Sequence, residues 1–138
     1  MTIGASLRSF LLDDNAISVL VGGNRIYPVN LPQNTKALSL RYSHISGERI
    51  VSSRRDLGLA SPRIQIDAWG PTYEGVANLA DKVLARLSAY QGYLNQDSPP
   101  STFCQGAFFE SERSGFEAES KLYFFSRDYF IWFEDALA

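Results

Sequence analysis

The chain has 138 residues, 45% of them hydrophobic and 20% charged, the size and balance of one globular domain. No apolar run approaches the ~20 residues that cross a bilayer, and residues 1–9 lack the basic start and long apolar stretch of a secretory signal, so synthesis in the cytosol is expected. The lone cysteine, Cys104, excludes an internal disulfide, and with a single histidine, His44, the chain does not hold the ligands of a zinc site within one subunit.

Leu7, Phe10 and Leu11 fall at helical spacing within Ser6–Leu12, the stripe of a short amphipathic helix. Asp13-Asp14-Asn15 interrupts it, and Asp14 or Asn15 is placed to cap a further turn through Ile17, Val19 and Leu20. Gly22-Gly23 ends that turn, because glycine accepts the left-handed conformation of a helix C-terminus. Arg25-Ile26-Tyr27 is a short strand candidate, and Pro28 and Pro32 mark an irregular extended loop after it. Ala37–Ile45 alternates as a strand, with Leu38, Leu40 and Tyr42 on one face. Residues 46–60 hold Gly47, Gly58, three arginines and scattered apolar side chains, and read as a long exposed loop or a protruding hairpin.

The next stretch is the best specified. Ile64, Ile66 and Ala68 alternate with Arg63, Gln65, Asp67 and Trp69, the period of a strand with one face buried. Gly70-Pro71 breaks the ladder, since proline has no N–H to donate. Thr72 is placed to cap a helix in which Val76, Leu79, Ala80, Val83, Leu84 and Leu87 recur every three or four residues. Residues 90–102 are linker-like, and two long strands close the chain, Phe103–Glu112 and Lys121–Glu134, with a turn expected around Ser114-Gly115. The expected fold is a single α+β domain over residues 1–138: an antiparallel or mixed sheet of about four strands, with two or three helices packed on one face.

Motifs for chemistry are missing from the sequence. Gly22-Gly23-Asn24 lacks the spacing and the lysine of a phosphate loop, and neither a nucleophile elbow nor an HExxH helix is present. His44 and Asp67 are the residues a small enzyme would have to use, and such an enzyme would need a pocket that brings them together. The plainer reading makes His44 a structural residue of its strand and Asp67 a surface or salt-bridged carboxylate. Cys104, between aromatic residues, reads as a buried inert thiol. No catalytic residue, metal ligand or cofactor-binding residue is therefore expected.

Two features point instead to other polypeptides. Arg49, Arg54 and Arg55 form a local basic cluster, but Glu48 and Asp56 lie beside it and the net charge of the chain is −2, a weak signal for nucleic acid. A protein-contacting arm competes there with a merely solvated loop. Charge is also unevenly spread: residues 1–63 hold eight Lys/Arg against four Asp/Glu, and residues 64–138 hold five against eleven, so copies could attract one another head to tail. The last strand is aromatic on both sides. Tyr123, Phe125, Tyr129, Ile131 and Phe133 face one way and Leu122, Phe124, Phe130 and Trp132 the other. One side covers a core; the other is covered by a further segment or buried between subunits. Tyr129, Phe130, Trp132 and Phe133, with Arg49, Arg54 and Arg55, are the candidate interface residues.

GGNRIYPVNLPQ (Gly22–Gln33), YSHIS (Tyr42–Ser46) and PRIQIDAWGPTYEGVANLADKV (Pro62–Val83), in this order, resemble the small tail-completion or tail-terminator proteins of long-tailed bacteriophages and prophages. The resemblance spans roughly residues 3–90. It implies a structural virion protein of the tail or neck, made in the host bacterial cytoplasm and without enzymatic activity. Such subunits form a ring, commonly a hexamer, that caps the tail tube, ends its polymerisation and joins it to the head–tail connector protein. The implied partners are further copies of the chain, the tail-tube protein and the connector, with no membrane and no specific nucleic acid, the genome passing through the ring. A tail-tube or head-closure subunit is the alternative within the virion, and a small enzyme using His44 and Asp67 is the alternative outside it.

Overall fold

A computed structural model of the chain describes residues 3–32, 35–47, 49–51, 56–94 and 102–134, with the backbone alone at 49–51 and 56–58. Three helices lie among them: α1 (Gly4–Leu12), α2 (Asn15–Leu20) and α3 (Tyr73–Leu87). Asp14 begins α2, its carboxylate accepting from the backbone N–H groups of Ala16 at 2.9 Å and Ile17 at 3.4 Å. Gly22 and Gly23 then take φ of 62° and 83°, the left-handed exit that a side chain resists. The Thr72 hydroxyl accepts from the N–H of Gly75 at 3.2 Å and so fixes the start of α3. Thr72→Ala is expected to cost about 1 kcal/mol, seen as a fall of roughly 3 °C in the thermal midpoint.

The described strands number eight, twice the four expected from the sequence: β1 (Ile26–Pro28), β2 (Ser39–Ser46), β3 (Arg49–Val51), β4 (Asp56–Ala60), β5 (Arg63–Gly70), β6 (Gly92–Tyr93), β7 (Phe103–Glu117) and β8 (Leu122–Glu134). All join one sheet. β1 runs parallel to β2, which is antiparallel to β5, which is antiparallel to β8. β7 lines the opposite edge of β8 and carries β6 at its start. Past Ser61-Pro62, β4 takes the place of β5 beside the end of β8, pairing Leu59 with Glu134 and Ala60 with Phe133, and β3 pairs with β4 as a hairpin. The strands beyond the sequence candidates are β3, β4 and β6, of three, five and two residues, too short to stand out by their period.

The helices cover one face. Val76, Leu79, Ala80, Val83 and Leu87 of α3 meet Leu7, Phe10, Leu11 and Ile17 from the N-terminal helices, Leu40, Ile64, Ile66 and Ala68 of the central strands, and Tyr129, Ile131 and Phe133 of β8. Each large apolar side chain buried in this way contributes about 1.5–3 kcal/mol. The β7–β8 hairpin corrects the expected turn at Ser114-Gly115. Its strands continue to Glu117 and Leu122, and the chain reverses over residues 118–121, with Lys121 at φ 59°. Gly115 serves packing, not reversal: it sits opposite Phe124, and a Cβ there would stand 2.8 Å from that ring.

Candidate assembly interface

β8 sorts its aromatic residues by face. Tyr129 and Phe133 are 0% and 1% exposed, inside the core beneath the helices. Phe130 and Trp132 point to the helix-free side and are half-buried. Of the four aromatic candidates, then, two are committed to the core and two lie on the helix-free face outside it. Gly106 and Phe108 of β7 lie opposite Trp132 and Phe130, and Phe108 is 51% exposed, so the aromatic surface extends onto the neighbouring strand.

The helix-free face is divided along its length. At one end Trp69 stacks on Phe124 at 5.0 Å, and both Trp69 and Leu122 are buried without any helix above them. Residues 30–32, 35 and 36 share a concavity of about 580 Å³ with Trp69, Arg41 and the hairpin turn. Lys36 fastens that loop to the turn by donating to the Ser120 carbonyl at 2.9 Å. The other end, with Phe108, Phe130 and Trp132, has no such cover among the described residues. Of the two outcomes anticipated for the second face of β8, a covering segment occurs at one end, and the other end stays open in the single chain.

Between the two ends runs a band of ion pairs. Asp67, fully buried, accepts from Arg41 Nε at 2.8 Å and from the Gln65 amide at 2.8 Å. A second bond comes from the Arg41 Nη2. Arg63 donates to Asp128 from Nε at 2.8 Å and Nη2 at 2.7 Å, and its guanidinium lies 5.9 Å from the Phe130 ring. These pairs sit on strand positions that alternate with the apolar ones, so the strand period places them on this face. Their partners become visible with the register: Arg41 lies directly opposite Asp67, whereas Arg63 faces Phe130 and reaches Asp128 diagonally.

A different cluster was not legible at all. Arg127 lies on the helix side of β8 among core residues, donating to Glu112 of β7 at 2.7 Å and to Asp81 of α3 at 2.9 Å. Burial works against its charge, but the bonds to Glu112 and Asp81 outweigh this and raise its pKa. The network ties α3 to both strands of the hairpin. Next to it, burial pushes the Tyr129 hydroxyl up to about 12, against the opposing influence of Arg127, so it stays protonated at physiological pH. At the start of α3, Tyr73 packs against Tyr123 of β8, which also meets Phe116 of β7; Tyr73 and Phe116 are 54% and 51% exposed.

His44 and Asp67 do not meet. His44 is on the helix side of β2, bordering an apolar concavity of about 290 Å³ with Ile3, Leu7, Tyr42 and Ile64. Asp67 is on the other side of the sheet, engaged by Arg41. Cys104 is buried, and burial raises its thiol pKa, which makes it a poor nucleophile. Of the basic cluster, Arg49 lies on β3 with its side chain outside the described atoms, and Arg54 and Arg55 lie outside the described residues. No helix among the described residues is long and apolar enough to cross a membrane.

The curved sheet with helices on one face is a fold shared with a solved structure. It matches a chain from the virion of a native gene transfer agent particle with a TM-score of 0.65, at 15% identity, over 96% of this chain and 94% of that one. No curated protein matches the sequence. The family described as tail completion protein gp17 matches residues 5–134, and the chain belongs to it. It is a structural protein of the phage tail.

Proposed function

We propose that the chain is a tail terminator: copies close into a ring, expected to be a hexamer, that caps the finished tail tube, stops its growth and presents a surface to the head–tail connector. It works by contact and has no enzymatic role. The observation that carries this reading is the open aromatic end of the helix-free face, Phe108, Phe130 and Trp132 beside Arg63. Aromatic residues and arginine are the types enriched at protein interfaces, and membership of the tail completion family supplies the setting. The neighbouring copy covers this surface, and the arm of residues 46–60 reaches a neighbouring subunit or the tail tube.

Arg54→Glu with Arg55→Glu tests the arm. Exposed ion pairs contribute about 0.2–1 kcal/mol each, so the double variant is expected to weaken assembly by up to about tenfold at low salt, and less in high salt. Sedimentation and tail-joining assays at two salt concentrations read this directly. Unchanged ring formation and tail joining would remove the arm from the account.

A further inference from the structure

The outer edges of β1, β3 and most of β7 are left without a partner among the described residues, and the placement of the last two suggests how neighbouring copies join. β8 is paired along both sides, by β5 and then β4 on one and by β7 on the other. The outer edge of β7 is covered only at its start, by β6 and by the Ala89 N–H, which donates to the Ala107 carbonyl at 2.9 Å. From Phe108 to Glu117 its outward N–H and C=O groups meet no strand among the described residues. Proteins blunt such edges with bulges, short strands or charge. Here the register shifts at Gln105 and Glu110 disrupt the first half, but Ser111–Glu117 pairs with β8 in continuous register, seven residues of regular edge. The second free edge belongs to β3, which pairs with β4 alone among the described strands. β1 is a poor rival because it ends in Pro28, which has no N–H to donate.

The two edges differ in charge. Residues 110–119 carry four glutamates against one arginine, whereas β3 carries one arginine, Arg49, and no acidic residue. They also look away from each other, because β3 lies beyond β4 on one side of β8 and β7 lies on the other. A head-to-tail contact requires this arrangement: each copy offers one edge forward and the other back, so the contact repeats until the ring closes. Pairing β7 with β7 about a two-fold axis would instead set the glutamates of one copy against those of the next.

We infer that the Ser111–Glu117 edge of β7 takes strand β3 of a second copy by main-chain hydrogen bonding, joining the sheets of adjacent subunits. The inference rests on the ring reading. Hydrogen exchange tests the backbone part: amides on the outer edge of Ser111–Glu117 should exchange at least tenfold more slowly in the assembled protein than in the dilute monomer. A charge exchange tests the pairing. Glu110→Lys with Glu117→Lys, or Arg49→Glu alone, should weaken association about three- to tenfold, and the three substitutions combined in one chain should restore it to within about twofold of wild type. Rings whose β7 amides exchange as in the monomer, or a combined variant as weak as the sum of its parts, would overturn the pairing and leave the ring reading standing. A two-fold dimer in place of a ring would overturn the pairing as well. Wild-type protein that forms no ring, in solution or on purified tail ends, would overturn both.

Discussion

Phe130→Asp combined with Trp132→Ser is expected to abolish ring formation while leaving a folded monomer. Aromatic residues at the centre of an interface cost about 2–4 kcal/mol each when truncated, so association should weaken by at least a hundredfold. Both side chains are half-buried on the helix-free face and outside the core, so the thermal midpoint should fall by only a few degrees. Tyr129→Ala and Phe133→Ala, one residue away in sequence, should behave in the opposite way. Their side chains fill the core, and truncation costs about 3–5 kcal/mol of folding stability. Sedimentation and thermal melts on the two pairs separate the faces of β8. Wild-type association by the Phe130/Trp132 variant would show that the open aromatic surface is not where copies meet.

Arg41→Met should be the most damaging single change on the ion-paired band. Asp67 has no solvent contact, and the arginine supplies two of its bonds, leaving the Gln65 amide as the remaining described partner. Removing one member of a buried pair leaves an uncompensated charge and costs about 3 kcal/mol or more. Replacing both, as Arg41→Met with Asp67→Leu, should recover most of that loss, since the lost attraction and the avoided desolvation nearly cancel. Chemical denaturation of the two variants provides the comparison. An Arg41→Met protein as stable as wild type would mean that Asp67 finds other solvation.

Much of the fold is legible because local chemistry and tertiary demand agree. Ile64, Ile66 and Ala68 alternate and are buried, Thr72 caps the helix it precedes, and Asp14 caps α2. What escaped has physical causes. The bulges at Gln105 and Glu110 break the two-residue period of β7, so Phe109 and Phe116 come to share a face although their spacing is odd. Gly115 has the chemistry of a turn but is there for the ring of Phe124. Arg127 interrupts the apolar face of β8, and its two acidic partners, on β7 and α3, are 15 and 46 residues away in sequence. The candidate interface was half legible for a related reason. Two faces of β8 are equally aromatic, and the position of α3 alone decides which is core.

The open aromatic surface is expected to be closed by other copies of the chain at a tail end. Mass measurement combined with electron microscopy, with and without purified tails, tests this most directly. Closed rings of defined size, sitting on one end of the tail tubes and blocking their extension, are the predicted result. A chain that remains a single-copy particle at high concentration and leaves tail ends bare, or one that stacks into open filaments, would contradict it.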